Sequence, residues 1–159
     1  MRIVEGTAEI DDVDSFLNRV NKIEERHETT IQGFDPRYLA SERHLEEAYK
    51  KARRAFENGD NVARDFGIEL MLYVAGTRQI ERATEVGLKE GQGDIVFVVL
   101  DDEGVDDLTE IIDTKRVEYG SSEILKEFFD ITGEEIKAVG EEKLELLVLE
   151  RVALLDVRK

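Results

Sequence analysis

Two sets of side chains in this sequence are suited to holding an anion. The first is Lys50, Lys51, Arg53 and Arg54, and the second is Asn61, Arg64, Arg78, Gln79 and Arg82. Guanidinium and ammonium groups grip phosphate, and an amide can read a base edge. Thr77, Arg78 and Gln79 follow the Gly76 break, at the start of a predicted helix. Outward backbone N–H groups there would stand beside a guanidinium and an amide, an arrangement that suits a phosphate. The competing reading is a capped helix junction beside a solvated basic face. Glu46 and Glu47 stand four residues before Lys50 and Lys51, the favourable order for pairing on a helix. That leaves Arg53 and Arg54 without such a partner.

The remaining reactive side chains assemble into no reaction. His27 and His44 are well separated, and neither has a second ligand at i+3 or i+4, so both are expected at the surface. Ser15, Ser41, Ser121 and Ser122 lie in no Gly-x-Ser-x-Gly setting. The segment from Gly87 to Gly93 is glycine-rich but precedes a strand and lacks Gly-Lys-Ser/Thr, so it reads as a turn and not a phosphate loop. The acidic run from Asp101 to Asp107 places Val105 where a calcium loop needs an oxygen, so it reads as a solvated turn into a helix. With no cysteine there is no disulfide, thiolate ligand or cysteine nucleophile. No catalytic set, metal site or cofactor is expected.

These residues sit in a chain of 159 residues, the size of one ordinary domain, and a single domain over 1–159 is expected. Hydrophobic residues make up 41%, enough for one core, and charged residues 38%, with a net charge of -16. The acid is unevenly spread. From Arg37 to Lys89 ten bases face nine acids, while the rest of the chain carries twelve bases and twenty-nine acids. The middle third is therefore the place for an anion. No apolar run reaches the eighteen or so residues of a membrane span, and the acidic start does not resemble a signal peptide. A cytoplasmic protein without a membrane partner is the expectation.

The patterning predicts both helices and strands. Met1 to Glu9 reads as a strand turning at Gly6. Asp12 to Arg26 reads as a helix with Phe16, Leu17, Val20 and Ile23 on one face. Thr29 to Phe34 is a short strand. His44 to Phe56 is the clearest helix, with Ser41 as N-cap and Asn58-Gly59 as its stop. Asp65 to Ala75 and Arg78 to Val86 follow as helices. Ile95 to Leu100 is apolar on both faces and predicts a central strand covered on each side. Asp107 to Ile112 is a short helix, Arg116 to Tyr119 a short strand, Ser122 to Phe129 a helix, and Ile136 to Val139 an edge strand. A final helix runs from Glu141 to about Leu155. The fold class is mixed α/β (α+β), a mixed central sheet with helices packed on it. On the final helix Leu146, Leu149 and Ala153 lie away from the stripe of Leu144, Val148 and Leu155. Either the domain buries both sides, or one side, together with Leu70 and Tyr73, faces a partner.

Several blocks of this sequence carry a resemblance. They are Ile31-Gln32-Gly33-Phe34-Asp35-Pro36-Arg37-Tyr38-Leu39-Ala40-Ser41, His44-Leu45 with Ala48, Asn61-Val62-Ala63-Arg64, and Ile68 through Ile80 with Ala75-Gly76-Thr77-Arg78-Gln79-Ile80. Together they closely resemble the CGI family, the TPRKB-like kinase-binding subunits of the KEOPS complex. The densest likeness covers about residues 31 to 91, and Ile95–Leu100 and Glu150–Leu155 fit the remainder. The chain looks like an archaeal-type member.

The resemblance implies a non-catalytic subunit of a complex that makes threonylcarbamoyladenosine (t6A) beside the anticodon of tRNA. It implies docking on the N-terminal lobe of the small atypical kinase subunit, and recruitment of tRNA through its 3′ CCA end. The metal-containing transferase subunit and the small dimerising subunit are implied as indirect partners. The charge distribution and the resemblance together give Lys50, Arg53, Arg54, Asn61, Arg64, Arg78 and Gln79 as the candidate nucleic-acid contacts. The candidate partner contacts are Leu70, Tyr73, Leu146, Leu149 and Ala153. Two alternatives stand beside this reading: a pure adaptor of the kinase without RNA binding, and a small-molecule or nucleotide enzyme using the glycine turn and Arg78.

Overall fold

The computed structural model describes residues 1–158. Their contacts gather into two units, each made of two stretches of chain. One joins Met1–Pro36 to Gly87–Glu118; the other joins Arg37–Val86 to the stretch from Tyr119 on.

The first unit holds the sheet. Its strands are β1 (Arg2–Thr7), β2 (Ile31–Phe34), β3 (Asp94–Val99) and β4 (Asp113–Thr114), in spatial order β2-β3-β1-β4. Every ladder is antiparallel, with Ile3 opposite Val98 and Gln32 also opposite Val98. The α+β class is as expected, and its mixture lies in helices and strands rather than in strand direction. Helices α1 (Val13–His27) and α5 (Val105–Ile111) share a core with the sheet. Phe16, Val20 and Ile23 of α1 meet Ile95, Phe97 and Val99 of β3, and Phe16 stacks on Phe97 at 6.4 Å. Val96 and Val98, on the other face of β3, are equally buried, so the strand is covered on both sides as its all-apolar sequence requires.

Three sequence expectations fail here for local reasons. Gly6 is not a turn: β1 runs straight through it. A Cβ at Gly6 would lie 2.6 Å from the Asp113 carbonyl oxygen, so glycine lets β4 approach closely. Leu17 does not join the buried face of α1 but is 38% exposed. The short strand lies at Asp113–Thr114 and not at Arg116–Tyr119, which has no regular structure.

The second unit is helical. It contains α2 (Glu42–Asn58), α3 (Phe66–Ala75), α4 (Ile80–Ala83), α6 (Ser122–Phe128), α7 (Gly133–Val139) and α8 (Leu144–Arg158). Helix α2 starts where the Ser41 hydroxyl accepts the His44 N–H at 3.3 Å, and ends at Gly59 with φ of 72°. Helix α3 is buried from Leu70 to Ala75 on every side, which fits a helix without a polar face. It packs on α2 and α8. Residues 136–139 are helical and not an edge strand. Thr132 and Glu135 form a reciprocal capping box that starts α7, and Glu135 then accepts two bonds from Arg151 of α8 at 2.8 and 2.9 Å. No helix among the described residues is long and apolar enough to cross a membrane.

Candidate functional site

A groove of about 710 Å³ opens on the helical unit. Lys51, Arg54 and Asn58 of α2 contribute one wall. Their spacing of three and four residues puts them on one side of that helix. The loop after α2 adds Asp60, Asn61 and Val62. A buried carboxylate fixes this loop: Glu69 of α3 accepts the N–H groups of Val62 at 3.0 Å and Ala63 at 2.9 Å. The Asn61 side chain donates to the Ala63 carbonyl at 2.8 Å, so one amide hydrogen is committed to loop geometry. Arg78, just past the Gly76 break, completes the basic lining.

The remaining lining comes from Ala55 of α2, Tyr73 of α3 and Asp156 of α8. The Tyr73 hydroxyl donates to one Asp156 oxygen at 2.5 Å, and Lys51 stands 3.6 Å from the other. Burial, reinforced by the bond to Asp156, pushes the Tyr73 phenol far above its ordinary range, so it stays a neutral donor. Three cationic side chains therefore share the groove with two carboxylates. The balance is weakly positive, in a protein whose overall charge is -16.

The groove brings together Arg54, Asn61 and Arg78 and leaves the other four expected nucleic-acid contacts outside. Lys50 pairs with Glu47 at 3.7 Å across one turn, on the outer side of α2. Arg53 has partners after all: Glu57 at 3.2 Å and the Tyr49 hydroxyl at 3.1 Å. Arg64 is exposed on the loop before α3 and does not line the groove. Gln79 lines a different hollow, with Thr77, Arg82 and Arg151. Arg82 is held there by a bond to the Phe128 carbonyl and by stacking 4.5 Å over the Phe128 ring. The predicted phosphate grip at residues 77–79 loses its basis. Helix α4 is only four residues long, and the Gln79 N–H is already accepted by the Thr77 hydroxyl at 3.1 Å. Lys51, set aside on sequence because Glu47 precedes it by four residues, pairs with Asp156 instead and belongs to the groove. Its spacing with Arg54 and Asn58 was the available signal.

The histidines also depart from expectation. His44 is fully buried inside the helical unit. The Ala40 N–H donates to its Nδ1 at 3.1 Å, which puts the proton on Nε2, 2.8 Å from the Val74 carbonyl oxygen. Burial drives the ring pKa down to about 4. His27, at the end of α1, is half-buried and meets Asp107 at 2.8 Å.

A second surface lies on α8. Leu144, Leu147, Val148, Val152 and Leu155 face the core, while Leu146 is 47% exposed and Ala153 and Val157 are exposed as well. Leu149 is half-buried between them. Leu146, Leu149, Ala153 and Val157 recur at i, i+3, i+7 and i+11, an apolar stripe along the outer side of the helix. Leu70 and Tyr73, expected to extend this patch, do not: both are fully buried in α3. Val157 was missed because the predicted helix ended near Leu155.

Fold and surfaces together describe an α+β protein with a small basic groove and an outward apolar helix, features of a binding protein. The family described as kinase binding protein CGI-121 matches residues 9–156, and the chain belongs to that family. No curated protein matches it.

Proposed function

We propose that the chain is the non-catalytic, kinase-binding subunit of a KEOPS-type complex. In this reading it docks on the small atypical kinase subunit through the outer stripe of α8, and takes the single-stranded 3′ CCA end of tRNA in the groove beside Lys51, Arg54, Asn61 and Arg78. The product of the complex is t6A next to the anticodon. The observation that carries the reading is the exposed Leu146–Val157 stripe in a chain whose family is one of kinase-binding proteins. A stripe of this kind supports an apolar interface core with a polar rim. The groove supports the RNA half of the reading, because a short tail offers few phosphates and asks for few bases.

The net charge of -16 favours a second reading, an adaptor that binds the kinase but no RNA. One pair of measurements separates the two. Gel filtration with the purified kinase subunit should give a stable complex that persists in moderate salt. A titration with tRNA, with and without its terminal CCA, should give saturable binding only to the intact tRNA. Binding to neither RNA leaves the adaptor, and equal binding to both overturns the CCA end as the ligand.

A further inference from the structure

We propose that Asp156 is a built-in competitor for the groove's ligand, holding Lys51 until an incoming phosphate replaces it. The proposal rests on the reading of the groove as the site for an RNA end. Its geometry is on two sides of one carboxylate. Tyr73 binds the first oxygen at 2.5 Å and so fixes the position of Asp156. The second oxygen faces Lys51 at 3.6 Å, beyond hydrogen-bonding distance but close enough for attraction. The Lys51 side chain is only 19% exposed and the Asp156 side chain 38%, so the pair is less screened than a surface ion pair. Lys51 is thus held loosely, in a groove that also contains Arg54 and Arg78. A phosphate that approached Lys51 closely would offer it a shorter, charge-assisted bond than Asp156 does. In the free protein the carboxylate occupies the place of that anion.

The competitor predicts that removing its charge strengthens binding, and that the gain passes through Lys51. Asp156→Asn is the variant of choice, since the Asn carbonyl can still accept from Tyr73 and the shape is kept. Lys51→Met keeps the aliphatic stem. With intact tRNA at one stated low salt concentration, D156N should bind roughly fivefold tighter than wild type. Its salt slope should stay that of wild type, because Lys51 neutralises the same phosphate in both complexes and only the cost of leaving Asp156 is removed. K51M should bind more weakly than wild type, and the double variant should match K51M. A gain from D156N that persists in the K51M background would be general repulsion relieved, and would overturn the role given to Lys51. If Arg54→Ala and Arg78→Ala weaken binding while D156N and K51M leave it unchanged, the groove reading stands and the competitor falls. If none of the four variants alters tRNA affinity, both fall together. Thermal melting of each variant guards the comparison; if D156N is unfolded, Asp156→Ala takes its place, and an affinity no tighter than wild type overturns the proposal.

Discussion

His44 shows what one buried side chain does to the whole stability curve. Its ring is neutral in the fold, with a pKa of about 4, against 6.5 for an unperturbed histidine. Between those values the unfolded chain takes up a proton that the folded chain refuses. The contribution of His44 is therefore complete above pH 6.5 and drains away as pH falls toward 4, by about 1.4 kcal/mol per pH unit and about 3 kcal/mol in all. Urea midpoints measured across that window should decline, and His44→Gln should lower stability at neutral pH yet flatten the decline. A wild-type curve that is flat from pH 6.5 to 4 would contradict the buried neutral ring. At the groove, Arg54→Ala and Arg78→Ala should each weaken tRNA binding and reduce the salt slope by about 0.7. Arg64→Ala, on a residue outside the lining, should change both less. The sequence could place a basic face on α2, because periodicity is local. It could not show that Lys51 turns to Asp156, since their pairing depends on how α8 packs.

Among the elements, α8 has two faces with separate consequences. Leu146→Asp, on the outer stripe, should leave stability within about 0.5 kcal/mol and weaken kinase binding at least tenfold. Leu70→Ala, at a fully buried position of α3, should cost about 2–5 kcal/mol of stability as a cavity. If L146D binds the kinase as tightly as wild type, the interface lies elsewhere. Helix α7 departs from its sequence expectation because Ile136 to Val139 looks like strand material while the decisive signal lies upstream in Thr132 and Glu135. Thr132→Ala should cost about 0.5–2 kcal/mol, read as a shifted denaturation midpoint. Helix α2 was legible to within two residues at each end, since its cap, apolar face and glycine stop all agree. The blocks that carried the family resemblance turn out to make the fold more than the site. Gly33 leaves space that Leu88 fills, Phe34 and Asp35 are fully buried with Asp35 paired to Lys89, and a Cβ on Gly76 would sit 3.3 Å from the Arg151 carbonyl oxygen.

For the molecule as a whole, a charge of -16 confines any RNA contact to a few side chains. Binding through Lys51, Arg54 and Arg78 should give a log–log salt slope of only about -2, shallow beside that of a basic nucleic-acid-binding protein. The pure chain is expected not to turn over ATP, checked by steady-state phosphate release after rigorous removal of contaminants. The interleaving of the two units has a different consequence. A cut between Val86 and Gly87 divides the chain so that each piece carries one stretch of both units. The first piece would keep β1 and β2 but lose the strand that lies between them; the second would keep β3, an apolar ribbon stripped of both neighbours. Likewise α2 and α3 would part from α8. Each piece loses part of both units, and each holds the strand or helix that the other lacks. The two halves should therefore be unstructured alone and regain helix and sheet when mixed, a protein that can be assembled by complementation from parts that are inert apart.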